Sequence, residues 1–350
     1  MGIKGLAKLL SDEAPECIRE IPLNSLHGRK IAVDASMQIY QFLIAIRTNA
    51  NANNPAFQLT NAAGETTSHI QGLFNRTIRF LTEGIRPVFV FDGRPPQFKS
   101  GELKKRRERR EKAKVELKAA KENDNAEEQT KQEKRLVVAG QKENEDCRKL
   151  LKLMGVPVVK APCEAEAQCA ALCKAGAVYA IGTEDMDALT FATPLLLRKM
   201  TFANSSKSDI QMMDYSKAVK GLDLTHEQFV DLCILLGCDY CDSIGGIGPK
   251  TALKLIREHK CIETILDHIK DEKKYRIPDE WIPKEAAKKK KDATAEKELG
   301  EDYDTEEERE QNKNDNKNKE ESKEEEEAEA VPIYVEARKL FLKHDVLEGK

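Results

Sequence analysis

The chain has 350 residues, which suffices for one large or two ordinary domains, and its apolar fraction of 40% supports a hydrophobic core. No apolar run approaches the roughly 18 residues that a membrane span needs, and a signal peptide is not recognisable, so neither a membrane-spanning nor a secreted protein is expected. The net charge of −3 conceals an acidic segment, residues 296–329, with 17 acidic and 6 basic side chains; the rest of the chain is basic and favours a polyanionic partner such as nucleic acid.

The first ninety residues alternate helix-like and strand-like segments. The patterns predict a short amphipathic segment over 1–10, helices over 36–46 and 68–83, strands over 30–35 and 87–91, and an Asn-rich loop over 48–60. The segment 68–83 carries apolar residues that fit a 3.6-residue period: Ile70, Leu73, Phe74, Thr77, Ile78 and Leu81. Strands that alternate with helices indicate an α/β fold with a largely parallel sheet.

Residues 99–141 form a highly charged, helix-compatible stretch. Between Lys99 and Lys118 there are 10 basic and 4 acidic side chains. One interpretation is a solvated helix of mixed charge. The interpretation that we favour is a mobile basic arch that contacts phosphates.

The α/β pattern resumes after the arch. Helices are predicted over 144–154, 162–175, 227–236 and 331–346, and strands over 156–159 and 177–181. Residues 284–330 are acidic, of low complexity and too polar to form a core, so we expect them to be disordered. The nine cysteines are interpreted as reduced core thiols of an intracellular protein rather than a disulfide framework or a zinc site.

Acidic residues follow the predicted strands. Asp34, Asp92 and the pair Asp185 and Asp187 come just after apolar strand-like runs. Because the carboxyl ends of parallel strands border the ligand crevice of an open sheet, these acids should meet at one edge. Three further acids lie near helix ends: Glu164, Glu166 and Asp239.

Seven carboxylates at one edge would repel one another and would need cations. Oxygen ligands favour hard ions such as Mg²⁺ or Mn²⁺, and two such ions about 4 Å apart serve phosphodiester displacement. Other roles stay open for each acid: an Asp after a strand can cap a turn or a helix, and Glu164 and Glu166 can complement a helix dipole. The whole set, together with a basic segment, indicates a metallonuclease.

A glycine-rich turn precedes a helix within residues 244–257. Its sequence, Gly-Ile-Gly-Pro-Lys-Thr-Ala from Gly246 to Ala252, has the form G-x-G-x-[KR]-[TS]-A. Glycines allow close backbone approach, and free N–H groups at a helix start suit a phosphate. An ordinary helix cap is the alternative, but the turn resembles a helix–hairpin–helix element that grips the DNA backbone.

Several motifs together resemble the flap endonuclease family, a branch of the XPG/RAD2 nucleases. They are Met-Gly-Ile-Lys-Gly-Leu at 1–6, Ile-Ala-Val-Asp-Ala-Ser at 31–36, Val-Phe-Asp-Gly at 90–93, Lys-Ser-Gly-Glu-Leu at 99–103, Glu-Ala-Glu-Ala at 164–167, Thr-Glu-Asp-Met-Asp at 183–187 and Leu-Gly-Cys-Asp-Tyr at 236–240. The resemblance runs from residue 1 to about 281, with a patch near 339–347. The short arch and the N-terminal Met-Gly are similar to the flap endonuclease branch rather than to its sister branches.

The resemblance implies a fold and a domain plan. The fold would be PIN-like (the 5′-nuclease fold), with a mixed, mostly parallel sheet flanked by helices, a helical arch and a helix–hairpin–helix (H2TH) element. The N-terminal nuclease region would cover 1–110, the arch 99–141, and the internal nuclease region 128–259 with the hairpin at about 237–257. An acidic insertion at 284–330 and a C-terminal helix at 331–350 would complete the chain.

The resemblance also implies roles for individual residues. One Mg²⁺ would be held by Asp34, Asp92, Glu164 and Glu166, and a second by Asp185, Asp187 and Asp239, with Mn²⁺ as a substitute. Lys99 and Arg106 would contact the scissile phosphate, and these nine residues form the catalytic set. DNA would be bound by Tyr40, Arg47, Arg76, Glu164, Gly237, Asp239, Gly246, Gly248 and Lys250. Backbone carbonyls around Ser243, Ile244 and Ile247 would hold a K⁺ ion.

The implied activity is hydrolysis of DNA phosphodiesters at the base of 5′ flaps, with 5′–3′ exonuclease activity, in Okazaki fragment processing and repair. The implied protein is a nuclear monomer, also mitochondrial in parts of the family, although no clear targeting signal is seen. A sliding clamp (PCNA) is an expected partner of the family, but no Q-x-x-[ILM]-x-x-F-[FY] box occurs here, so we expect weak clamp stimulation or none. The alternatives are a sister nuclease with another junction preference and an inactive junction-binding module.

Overall fold

A seven-stranded sheet forms the centre of the described chain. The computed structural model describes residues 2–48, 67–94, 100–123, 125–136, 140–200, 210–282 and 331–347. The acidic segment 284–330, the loop residues 49–60 and Lys99 lie outside this part. The strands are β1 (Ile18–Ile21), β2 (Lys30–Asp34), β3 (Arg86–Phe91), β4 (Val158–Lys160), β5 (Ala180–Gly182), β6 (Leu195–Arg198) and β7 (Ile210–Asp214).

The strand order is β1-β7-β6-β5-β2-β3-β4. The five strands from β6 to β4 run parallel, whereas β7 is antiparallel to both β6 and β1. The predicted mixed and mostly parallel sheet is therefore confirmed. The register pairs Asp34 with Val90 and Phe91 with Lys160, so the ends of β2, β3 and β4 lie side by side.

Helices cover both faces of the sheet. They are α1 (Leu6–Glu13), α2 (Ala35–Thr48), α3 (Ser68–Thr82), α4 (Ser100–Glu122), α5 (Ala126–Arg135), α6 (Gln141–Leu153), α7 (Ala165–Lys174), α8 (Tyr215–Leu222), α9 (His226–Leu236), α10 (Pro249–His259), α11 (Ile262–Ile269) and α12 (Ile333–Leu342). Within the described ranges, no helix is both long and apolar enough to cross a bilayer. The central strands are apolar along most of their length because both faces are covered.

Two hydrophobic cores lie on opposite faces of the sheet. One contains residues of α1, α7, α9, α10 and α12, with Phe229 and Trp281 among its largest buried side chains. The other contains residues of α2, α3 and α6, with Phe80 and Phe89 at its centre. The five parallel strands end at the same edge of the sheet that separates these cores.

The helix predicted over 68–83 is confirmed as α3, but its apolar residues are only partly buried. Phe74, Ile78 and Leu81 are 39–44% exposed, whereas Leu73, Thr77 and Phe80 are fully buried. The buried stripe therefore follows the spacing i, i+4, i+7 from residue 73, and the other apolar residues lie on a neighbouring face of the helix. The period predicts a helix but does not by itself decide which face meets the sheet.

The segment 99–141 contains two helices, α4 and α5, that pack against each other. Ala113, Ala120 and Gln132 are buried between them and their neighbours, so this hairpin has a narrow seam of its own. Gln129 donates to the carbonyl of Ala120 at 3.1 Å, which fixes the turn between the helices. A single fully solvated helix is therefore not what forms.

One arginine, Arg338, connects the last described helix, α12, with α9 and α11. Arg338 donates from Nε and Nη2 to the two carboxylate oxygens of Asp231 at 2.6 and 2.8 Å, and it also pairs with Glu263 at 2.7 Å. Asp231 is buried, so its charge depends on this partner. The prediction of a helix that packs on the body is confirmed, since Tyr334, Ala337 and Phe341 are buried.

Arg338→Ala should lower the free energy of unfolding by about 3 kcal/mol, because it leaves the buried Asp231 without its charged partner. Lys339→Ala is the matched control, since the Lys339 ion pair with Glu336 is exposed and should contribute less than about 1 kcal/mol. Denaturant unfolding of both variants measures the difference. Equal losses would show that the arginine network does not fasten α12.

Candidate active site

The sheet brings the predicted acids to one edge. Asp34 ends β2 and Asp92 follows β3, while Glu164 and Glu166 start α7 just after β4. Asp185 and Asp187 follow β5, and Asp239 follows α9. Parallel strands end on the same side, so the topology explains why acids from distant parts of the sequence meet.

Several of these acids also stabilise the start of a helix. Asp34 Oδ1 accepts a hydrogen bond from the Met37 amide at 3.0 Å, in the first turn of α2. Asp92 Oδ1 accepts from the Ala165 amide at 2.9 Å, at the start of α7. Helix capping was the alternative to metal binding for such residues, and here capping fixes each carboxyl group at the sheet edge.

Burial and mutual repulsion raise the pKa values of two carboxyl groups. Burial, followed by the charge of Asp92, raises the pKa of Asp34 to about 7. Burial, followed by the charges of Asp34 and Asp92, raises the pKa of Glu166 well above its ordinary range. Asp185 and Glu164 add smaller repulsive contributions to Glu166. The acids therefore lie close enough to destabilise one another's charged forms.

These residues fit hard divalent cations in chemistry, although they do not form a finished coordination shell. Among the described residues, no three acidic, histidine or cysteine side chains are grouped so that they could hold one metal ion. Three of the seven acids are buried, Asp34, Asp185 and Asp187, and oxygen-only, mutually repelling carboxyl groups are nonetheless the donor set that Mg²⁺ and Mn²⁺ prefer. Binding would require small side-chain movements and release of the protons that the raised pKa values retain.

Arg106 connects the arch with the acids. Its Nη2 donates to Asp239 Oδ2 at 2.8 Å across 133 positions of sequence, and its side chain remains partly exposed. The N-terminal part of α4 therefore lies beside the acid cluster at Asp239. The side chain of its predicted companion, Lys99, belongs to the part of the chain that is not described.

Tyr240 is a site residue that the sequence did not single out. Its hydroxyl donates to Glu164 Oε2, and the ring is buried against Phe341 of α12, with ring centroids 5.0 Å apart. Burial, followed by the charge of Glu164, raises the pKa of Tyr240, so the hydroxyl stays a donor. Its position beside Asp239 in the family motif was the only available signal.

Gly2 is the second site residue that the sequence missed. Its φ of 78° lies in the left-handed region, and a Cβ atom at this position would overlap Oδ1 of Asp185 and lie 2.5 Å from Oδ1 of Asp187. The backbone near the N-terminus therefore packs directly against two of the acids. Glycine permits both the conformation and the approach.

The predicted DNA-binding residues outside the acid cluster lie on α2, on α3 and in the hairpin that leads into the first turn of α10. Tyr40 and Arg47 lie on α2, which begins at the acidic edge; Tyr40 is half-buried, and the Arg47 side chain is outside the described part. Arg76 of α3 donates to Gln38 and Gln41 of α2 and lies over the Phe42 ring at 4.2 Å. In this structure Arg76 is thus engaged by α2.

The predicted hairpin lies between α9 and α10. Gly237 ends α9 with a φ of 94°, and Gly246 has a φ of 90° with no space for a side chain, because a Cβ would lie 2.6 Å from the Lys274 carbonyl. Gly248 caps α10, and Lys250 is exposed in its first turn. Of the residues expected near K⁺, the Ile247 amide donates to the Ile244 carbonyl at 3.3 Å, and Ser243 packs beside Gly237.

Mg²⁺ should stabilise the protein more at pH 8 than at pH 6. A carboxyl group whose pKa is raised in the folded protein favours folding in its protonated form, so stability without metal falls as pH rises from about 4 to about 7. Bound cations would offset that loss where the acids are charged. Thermal unfolding with and without Mg²⁺ at both pH values measures the effect.

Asp34→Asn should remove most of the Mg²⁺-dependent rise in melting temperature. The matched control is Asp214→Asn, since Asp214 also ends a strand and caps the following helix but lies away from the acids. An equal rise at both pH values, or an unchanged rise in Asp34→Asn, would contradict a metal site at this edge.

Gly2→Ala should slow metal-dependent cleavage by about 100-fold, the order of effect that a displacement of about 1 Å causes in an active site. The added methyl group would displace both Asp185 and Asp187. Gly28→Ala is the matched control, because Gly28 has a similar φ of 75° and open space around its Cβ position. Single-turnover cleavage rates of the two variants test this prediction. Similar rates would mean that the loss comes from backbone strain at a positive φ and not from displaced acids.

Comparison with known proteins identifies the family. The XPG N-terminal domain model matches residues 1–113, and the XPG I-region model matches residues 155–239. Flap endonuclease 1 of Phaeodactylum tricornutum is 65% identical over 347 residues, which cover 99% of this chain and 79% of that protein.

Solved structures agree with this assignment. The flap endonuclease-1 from Methanococcus jannaschii is 35% identical, with a TM-score of 0.55 over 75% of this chain and 80% of that one. The catalytic core of Rad2 in complex with DNA substrate is 25% identical, with a TM-score of 0.61 over 99% of this chain and 88% of that one. The chain is 65% identical to a flap endonuclease 1 over nearly its whole length, and its acids lie where the parallel strands of a PIN-like sheet end. The chain therefore belongs to the flap endonuclease family.

Proposed function

We propose that this flap endonuclease uses the carboxylates at its sheet edge, with two divalent cations, to cut DNA at the base of 5′ flaps. The chain is a structure-specific DNA nuclease of replication and repair, and its family is metal-dependent. The observation that carries the proposal is the hydrogen bond of Arg106 to Asp239, because it joins a cationic side chain of α4 to one of the acids. A cationic side chain above a set of cation-binding carboxylates is what a phosphodiester in that gap would require.

We assign the acids to two sets. Asp34, Asp92, Glu164 and Glu166 would hold one Mg²⁺, and Asp185, Asp187 and Asp239 the other, with Mn²⁺ as a substitute. Bound cations would supply Lewis-acid stabilisation of the phosphoryl oxygens and a lower pKa for the attacking water. The chain's own contribution is to hold the carboxyl groups in place, through the helix caps of Asp34 and Asp92 and the hydroxyl of Tyr240 on Glu164.

Arg106 would act on the reacting phosphate. Its guanidinium is bound to Asp239, so an approaching phosphate would compete with that carboxylate for the same donors. Transfer of the guanidinium to the phosphate would stabilise negative charge that develops during displacement. Lys99, seven residues earlier in the sequence, is assigned the same role by resemblance.

DNA would be held by its backbone and shape rather than by its bases. The exposed hairpin from Gly246 to Lys250 offers backbone N–H groups and one lysine to a duplex phosphate. Tyr40 would stack at the junction, and Arg47 and Arg76 would contact the backbone beside it. Selection of a bent junction follows from deformability, which is greatest at a nick or a flap.

Further partners follow from the resemblance. We expect action in the nucleus, and K⁺ at the hairpin carbonyls near Ser243, Ile244 and Ile247. A sliding clamp remains an expectation of the family, and the 350 residues contain no matching clamp box. The late apolar cluster around Phe341 is buried in the core, so it does not offer the exposed anchors of a clamp peptide.

The test is cleavage of a labelled double flap in Mg²⁺, beside bubble, nick and four-way junction substrates. The flap should be cut fastest, and Asp187→Asn should abolish cutting but retain DNA binding in Ca²⁺, because the hairpin and basic surfaces supply affinity. Asp214→Asn is the control and should behave as the unmodified protein. Near-normal turnover of Asp187→Asn would refute the two-metal assignment, and a preference for another junction would favour a sister activity.

Arg106→Ala should slow single-turnover cleavage by about 10²–10³-fold and weaken binding only modestly, because it removes a charge that acts on the transition state. Arg107→Ala is the matched control: the neighbouring residue has the same charge but is exposed on α4. If both variants lose binding and neither loses rate, Arg106 is an ordinary backbone contact.

A further inference from the structure

Two cysteines flank Asp239 and Tyr240. They belong to a C-x-x-C sequence, Cys238-Asp239-Tyr240-Cys241, and their sulfur atoms lie 3.6 Å apart. The turn between them is closed by a hydrogen bond from the Cys238 amide to the Cys241 carbonyl at 3.4 Å. All nine cysteines of the chain are free thiols in this structure.

We propose that Cys238 and Cys241 form a reversible dithiol–disulfide pair that takes a peroxide as its oxidant and switches off the neighbouring active site. This regulation rests on the proposed function, since Asp239 is one of the assigned metal ligands. C-x-x-C spacing is the arrangement in which one thiol reacts and its neighbour resolves the product.

Hydrogen peroxide is the oxidant and accepts the two electrons and two hydrogens that the thiols lose. The sulfur of one cysteine attacks a peroxide oxygen, the O–O bond breaks, and a sulfenic acid and one water result. The second sulfur then attacks the sulfenic sulfur, and the S–O bond breaks with loss of a second water. In total, two thiols lose two hydrogens, one S–S bond forms, and one hydrogen peroxide becomes two waters.

The geometry favours this order of events. Cys238 is half-buried, whereas Cys241 is only 6% exposed, so an oxidant in solution meets Cys238 first. A disulfide requires sulfur atoms about 2.05 Å apart, which leaves roughly 1.5 Å of approach from the reduced arrangement. The closed turn already holds the two residues on the same side.

Rotation of the two cysteine side chains and movement of the residues between them together supply this approach. On one side, the backbone of Gly237 is confined, because a Cβ atom at this position would lie 3.1 Å from the Ser243 side chain. On the other, the Asp242 carbonyl accepts a hydrogen bond from the buried Trp281 ring at 3.0 Å. Ring closure would therefore move Asp239 and Tyr240, and with them the contacts to Arg106 and Glu164.

The experiment treats the reduced full-length protein with hydrogen peroxide and measures two quantities. Intact mass and peptide mapping should show loss of two hydrogens and a link between Cys238 and Cys241. Single-turnover flap cleavage in Mg²⁺ should fall by about tenfold or more, the effect of disturbing the partners of metal ligands, and dithiothreitol should restore it. Melting temperature should show that the oxidised protein remains folded.

Cys238→Ser and Cys241→Ser should cleave normally and resist peroxide. If Cys241→Ser is poorly folded, Cys241→Ala replaces it. Cys261→Ser is the matched control, since Cys261 is also half-buried but contacts Thr264, away from the acids, and this variant should remain sensitive. Absence of the link, or a link without loss of rate, would overturn the proposal. A reduced protein that does not cleave flaps would refute the proposed function, and the mass measurement would still decide whether the pair oxidises.

Discussion

Repulsion among carboxylates at the end of a parallel sheet is the constraint on which the rest of this structure depends. Asp34 is buried and Glu166 is partly buried beside other acids, so ionisation of either carboxyl group is unfavourable until cations or cationic side chains approach. Most contacts around the edge hold a carboxyl group in place against that repulsion. The helix caps, the Tyr240 hydroxyl and the Arg106 guanidinium all belong to this class. A site built in this way is stable only as far as its surroundings are rigid.

The last described helix, α12, supports the acid cluster through packing contacts. Phe341 of α12 packs against Tyr240, which donates to Glu164, and α12 is itself fastened by Arg338 to the buried Asp231. Trp281 stacks on Tyr334 of the same helix and donates to the turn that follows Asp239. A helix more than 90 positions away in sequence therefore supports the turn around Asp239 and the contact to Glu164. Close packing transmits such support because buried aromatic groups leave few alternative positions.

The arrangement suits a nuclease that recognises shape. In the proposed function the hairpin would bind the DNA backbone and Arg106 would contact the phosphate beside Asp239, so a substrate would have to reach both elements to be cut. None of these contacts depends on base identity. The thiol pair at Cys238 and Cys241 adds a second property, because it places two oxidisable groups at the ends of the turn that holds Asp239.

The sequence by itself determined the class of fold, the position of each acid after a strand or near a helix end, and the glycine-rich hairpin, because strand and helix periods and turn residues are local properties. It also carried the motifs from which the family could be identified. It did not predict β1, β6 and β7, whose short segments become strands only by pairing, nor the face of α3 that meets the sheet. Tertiary structure decided the roles of Gly2, Tyr240 and the thiol pair. Each depends on the distance to a residue far along the chain or on the shape of a turn, and neither quantity is encoded in local spacing.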